Sequence, residues 1–202
     1  MRRGRNQRRS YRRLAATALL LVAVAACSKP LSEEKRFDAA VHLFRQGYLE
    51  RSVKEFRARG QELDSQPDSP WRWRYRVMEA EVLLGQGFAN DAEKLLGAEF
   101  PADPGLAPIK PHWDTIRASA LLRAGALDEA SRLLDEAESL TRAQADQALL
   151  PRIGAARGLV LLNTRKPGEA ASRFQQSIDD AVRLNEPYYE AAAAVNLGFA
   201  LI

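Results

Sequence analysis

Cysteine occurs once in these 202 residues and histidine twice. One cysteine excludes a disulfide within the chain and any cysteine-based metal site. His42 and His112 each lack a second His or Cys at ligand spacing, so no metal and no cofactor is expected. P-loop, GxGxxG, GxSxG and HExxH patterns are all missing. The acid pairs Glu33-Glu34, Asp128-Glu129 and Asp179-Asp180 suit helix first turns or solvated faces rather than acid–base chemistry. No catalytic residue emerges, and the expectation is a chain that is not an enzyme. Strand signals are nearly absent, which points to an all-α fold. Trp71 and Trp73 alternate with Arg72 and Arg74. That pattern reads as core filling at a helix start, with arginine stems snorkelling past the rings.

The first segment lacks acid altogether. Arg2, Arg3, Arg5, Arg8, Arg9, Arg12 and Arg13 come before any Asp or Glu, the first of which is Glu33. The apolar run Leu14 to Ala26 follows, 13 residues with Thr17 as its one polar member. A membrane-spanning helix needs about 20 apolar residues. A basic head, a short apolar core and a small-residue end fit a secretory signal over residues 1–26. Val24-Ala25-Ala26-Cys27 then resembles the bacterial lipobox. That resemblance implies cleavage between Ala26 and Cys27 and a diacylglycerol on the Cys27 thiol, with the freed amine often acylated too. Each buried CH2 contributes about 0.8 kcal/mol, so two or three chains anchor durably. Residues 27–31 would be the lipidated cysteine and a short tether. Ser28 and Lys29 follow the cysteine; the lack of Asp there favours the outer membrane, facing the periplasm.

Removing the signal changes the charge argument. The whole chain carries 30 Lys+Arg against 26 Asp+Glu; without the seven signal arginines the balance is 23 against 26, or −3. On that ground no nucleic-acid partner is expected.

The rest of the chain repeats itself. Arg45-Gln46-Gly47, Gly85-Gln86-Gly87 and Arg123-Ala124-Gly125 are turn-like, each preceded by a small residue at Ala40, Ala80 or Ala118. After the turns come Ser52, Ala92 and Ala130, then Phe56, Leu96 and Leu134. A fourth copy uses Gly158, Ala170 and Phe174, with the turn Thr164-Arg165-Lys166-Pro167; a fifth begins at Leu197-Gly198. The small anchors lie 40, 38, 40 and 40 residues apart. Antiparallel helices approach closely only where a side chain is small, with bulky residues filling the surroundings, and the glycine stops the first helix in a left-handed conformation. Pro101, Pro104, Pro108 and Pro111 crowd the link after the second pair, so its second helix must be short.

This spacing resembles the tetratricopeptide repeat. Its clearest copy is Ala118-x2-Leu121-x3-Gly125-x-Leu127-x2-Ala130-x3-Leu134-x2-Ala137. The likeness covers residues 32–202, with pairs at about 32–66, 71–100, 112–140 and 151–184 and a truncated fifth from 187. It departs in period, about 40 rather than 34. The resemblance implies an open solenoid whose concave side, lined by the first helix of each pair, binds extended peptides or other proteins of the cell envelope. In this register Arg45, Arg74, Arg123, Arg152 and Asn163 would line the groove and hold peptide carbonyls or carboxylates. Glu81, His112, Ile116, Ser119 and Leu159 share the face.

Ser32 is an expected N-cap, with Glu33 and Glu34 in the first turn. Ala191 to Ile202 is apolar and uncapped, which reads as an N-terminal piece of a longer protein or as an end covered by a partner. Two functions follow. One is a membrane-anchored protein-interaction scaffold. The other is the sensing arm of a larger enzyme, because a lipobox before such pairs also resembles the front of some bacterial proteins that end in a caspase-like peptidase domain of the CHAT type.

Overall fold

A computed structural model of the chain describes residues 31–97, 99–144 and 147–202. The expected signal, its cleavage site at Ala26 and the lipidation site Cys27 lie outside the described residues. The chain divides into two units, Met1–Arg36 and Phe37–Ile202. In the first, Ser32 acts as the expected cap: its Oγ accepts from the Lys35 backbone N–H at 3.4 Å. Arg36 Nε donates to the Leu31 carbonyl at 3.1 Å.

The described residues hold nine α-helices and no strand. They are α1 (Glu33–Arg45), α2 (Leu49–Glu62), α3 (Pro70–Gly85), α4 (Ala89–Leu96), α5 (Lys110–Arg123), α6 (Leu127–Ala143), α7 (Leu150–Asn163), α8 (Pro167–Arg183) and α9 (Pro187–Ala200). The proline-rich link carries a 3₁₀ turn at Pro104–Leu106, and α4 is cut to eight residues. Pro111 falls inside the helix rather than before it, in the first turn of α5, where its missing N–H has no partner to lose.

One turn chemistry recurs five times. Tyr48 N–H reaches the Leu43 carbonyl, Phe88 reaches Leu83, Ala126 reaches Leu121, Lys166 reaches Leu161 and Glu186 reaches Ala181, all at 2.8–3.0 Å. The residue before each donor is left-handed: Gly47, Gly87, Gly125, Arg165 and Asn185, with φ between 55° and 90°. This is the Schellman ending, which satisfies the last carbonyls of a helix and turns the chain sharply.

Packing follows from small residues meeting large ones. Ala40, Ala80 and Ala118 are buried, as are Phe56, Leu96, Leu134 and Phe174. At Gly158 the fit is tightest: a Cβ there would sit 2.4 Å from Cε1 of the Phe174 ring, so the ring occupies the space a side chain would need. Gly198 has open space around it. Helices α3 and α5 are buried along most of their length, charged Glu79, Glu81 and Asp114 included, so those carboxylates need partners inside the fold. Aromatic edges join the pairs: Phe37 lies 5.3 Å from Tyr75 and 5.9 Å from Phe56, and Phe100 bridges Trp73 and Trp113 at 5.5 and 5.6 Å.

The expectation of an open solenoid needs correction in one respect. The last helix reaches back to the first: the Phe44 and Tyr188 rings are 4.6 Å apart, and Arg45 pairs with Glu186. Further along α9, Val195 and Phe199 are more than half exposed.

Candidate functional site

The first helices of successive pairs, α3, α5, α7 and α9, lie side by side. Each sends one polar residue to a single point. Glu81 of α3 is the centre, and its side chain is 9% exposed. Glu81 Oε1 accepts from Arg152 Nε of α7 at 2.8 Å and from the Tyr189 hydroxyl of α9 at 2.8 Å. Glu81 Oε2 lies 2.8 Å from His112 Nε2 of α5. An ionised carboxylate only accepts, so His112 carries a proton on Nε2. Arg152 also lies over the Tyr189 ring, 4.1 Å from its centroid, and donates from Nη1 to the Ala148 carbonyl at 3.2 Å.

Burial alone would push the Glu81 carboxyl up. Arg152 beside it, with His112 and Tyr189 donating, outweighs that and holds Glu81 well below the usual carboxylate range. Burial works against the Arg152 charge as well, and the Glu81 charge overcomes it and raises Arg152. Burial, reinforced by Glu81, lifts the Tyr189 phenol well above its usual value, with Arg152 opposing. The group is a buried ion pair whose carboxylate accepts from three donors.

The knot separates two open cavities that share Arg152 as a wall. One, of about 300 Å3, is lined by Phe37, Asp38, Val41, Arg45, Arg74, Met78, Ile109 and His112. The other, of about 560 Å3, has an apolar floor of Phe44, Leu84, Ile116, Leu122, Leu159 and Tyr188, with Ser119, Arg123, Asn163 and Asn196 supplying polar groups. The five groove residues read from the sequence therefore fall in two sets. Arg45, Arg74 and Arg152 line the first cavity, and Arg123, Asn163 and Arg152 line the second.

Their freedom differs. Arg45 is engaged by Glu186 and Arg152 by Glu81. Arg74 lies over the Trp71 ring at 4.9 Å. Asn163 donates from Nδ2 to its own helix at Leu159, which leaves its carbonyl oxygen for a ligand. Arg123 is exposed and makes no ion pair among the described residues. Sequence reasoning missed Glu186, Tyr188 and Tyr189. Continuing the register from Gly198 reaches Ala192 and Asn196, which do line the larger cavity. It does not reach the start of α9, and no repeat signal marks those three.

No family model and no curated protein matches the sequence. Among solved structures the chain is similar to Bacillus thuringiensis PlcR, whose crystal structure is in complex with the peptide PapR7 and DNA. The TM-score is 0.59 and the identity 16%; the match covers 84% of this chain and 61% of that one. The chain thus spans less than two thirds of its neighbour. PlcR is a tetratricopeptide-like helical fold, and the likeness is one of fold. It also corrects the exclusion of a nucleic-acid partner drawn above. A protein sharing this fold is solved with DNA, and a net charge near zero, averaged over a chain, says nothing about any one surface.

Proposed function

We propose that the chain is a protein-interaction scaffold, without catalysis of its own, that binds an extended peptide segment along the face built by α1, α3, α5, α7 and α9. The observation carrying this is the pair of cavities flanking the Glu81–Arg152 knot. Each combines an apolar floor with polar groups at its edge, the composition that takes a side chain and orients a backbone. The knot itself gives the face rigidity, so a bound peptide would not have to order its receptor. PlcR, similar in fold, is solved with a peptide. In this reading the helix pairs are tetratricopeptide-like units with a period of about 40 residues.

The same proposal places the scaffold on a membrane. Signal cleavage before Cys27 and acylation of its thiol would leave it lipid-anchored in a bacterial envelope, at the outer membrane facing the periplasm. Labelling with radioactive palmitate tests this part: the label should vanish in Cys27→Ser, and a retained label contradicts it. Selection of a random peptide library on the full chain tests the binding part. Selected peptides should lose at least about tenfold in affinity for Arg123→Glu, as expected when a charge-assisted hydrogen bond turns repulsive. Peptides that bind Arg123→Glu and Leu159→Arg as well as the unmodified chain would sink the proposal.

A further inference from the structure

A third cavity, of about 210 Å3, lies away from the face just described, between α2, α3 and α4. Three arginines line it: Arg57 from α2 and Arg72 and Arg76 from α3. Two carboxylates share the space, Asp64 and Glu79. Arg57 engages Glu79 through Nε at 2.7 Å, and Arg72 engages Asp64 through Nε at 3.1 Å. Pairing through Nε leaves the forked Nη ends for other acceptors. Asp64 is largely exposed, at 64%, while Glu79 is held inside at 9%.

Arg76 is the odd charge. It makes no ion pair among the described residues. It is partly buried and lies over the Trp73 ring, 5.3 Å from the centroid. Arg72 lies over the same ring at 5.9 Å. Trp73 is buried and pinned by its indole N–H to the Pro67 carbonyl at 3.1 Å. Two guanidinium groups are thus held against one fixed ring, and among the described residues the exposed Asp64 pairs with Arg72 alone. Burial, and then the like charge of Arg72, lowers the proton affinity of Arg76, with the Asp64 and Glu79 carboxylates offsetting part of it. An anion entering here would relieve that repulsion and take up the unused donors.

We propose that this cavity is a binding site for a small phosphate-type oxyanion, free or carried by a phosphomonoester, with Arg76 as its principal ligand and the Nη groups of Arg57 and Arg72 as its flanks. The site is independent of the peptide-binding reading: it lies on other helix faces and shares no lining residue with the two cavities there.

The test is calorimetric titration of the full chain with inorganic phosphate and, in parallel, phosphoethanolamine, with chloride adjusted to hold ionic strength constant. Saturable binding of one or both is expected, and the tighter of the two identifies the source. Arg76→Gln should weaken it at least about tenfold, the loss of a charged hydrogen-bonding partner. Arg76→Lys, which keeps the charge and loses the fork, should fall between. Asp64→Asn removes a competing negative charge at an exposed position and should strengthen binding several-fold. Absence of saturable binding to the unmodified chain overturns the proposal. So does binding unchanged in Arg76→Gln, or unchanged in Asp64→Asn.

Discussion

Glu81 shows what one buried carboxylate can organise. It takes three donors from three other helices. Removing its charge leaves Arg152 buried without a counter-charge, which costs far more than an exposed ion pair is worth. Glu81→Gln is expected to destabilise the fold by about 3–5 kcal/mol, measured by chemical denaturation, with the double variant Glu81→Gln/Arg152→Gln recovering part of the loss. A double variant as unstable as the sum of both singles would argue against the pairing.

Two carboxylates also set opposite pH slopes. The folded pKa of Glu81 is depressed, so its stabilisation is present above its unfolded value near 4.5 and is lost as pH falls below it. Burial pushes Asp114 up to about 6, against the pull of Lys110 at 2.7 Å. Its stabilisation is present below the unfolded value of 3.8 and is lost as pH rises toward 6. Asp114→Asn should therefore remove a falling contribution between about pH 4 and 6. An unchanged denaturation profile across that window would count against the assignment. At this scale the sequence was partly legible: the register put Glu81, His112 and Arg152 on one face. Tyr189 was not readable, because its place depends on the twist between successive pairs, which periodicity does not encode.

At the level of elements, the hairpin contact is the determining feature. Gly158→Ala would drive a methyl into the Phe174 ring. Overpacking of this kind costs about 1–3 kcal/mol, and a thermal-melt comparison reads it directly; no loss would mean that the α7–α8 contact is looser than described. The turns offer the converse change. Arg165 is left-handed, with φ 60°, where a Cβ is unfavourable. Arg165→Gly is expected to stabilise by up to about 1 kcal/mol, against a loss of similar size for Gly125→Ala. The Gly125 turn could be read from the chain, since glycine after a leucine pair stops a helix, whereas the Arg165 turn was read only from its place in the repeat and from Pro167 after it. The short α4 was also legible, from four prolines in the link that follows it. The fitting of Pro111 into the first turn of α5 was not, because proline in a link and proline at a helix start look alike in sequence.

Over the whole molecule, the all-α fold followed from periodicity alone, whereas the contact of α9 with α1 did not. Arg45 and Glu186 are 141 positions apart, and nothing local in either segment marks the other. That contact closes the inner face at one end and bears on what the face can hold. The proposed peptide would lie on the first helices of the pairs, across the two cavities that Arg152 separates. Hydrogen exchange of the full chain, with and without a selected peptide, tests that placement most directly. Added protection is expected over residues 112–123 and 152–163, with α2, α6 and α8 unchanged. Protection confined to α2, α6 and α8 would put the peptide elsewhere and overturn the proposal.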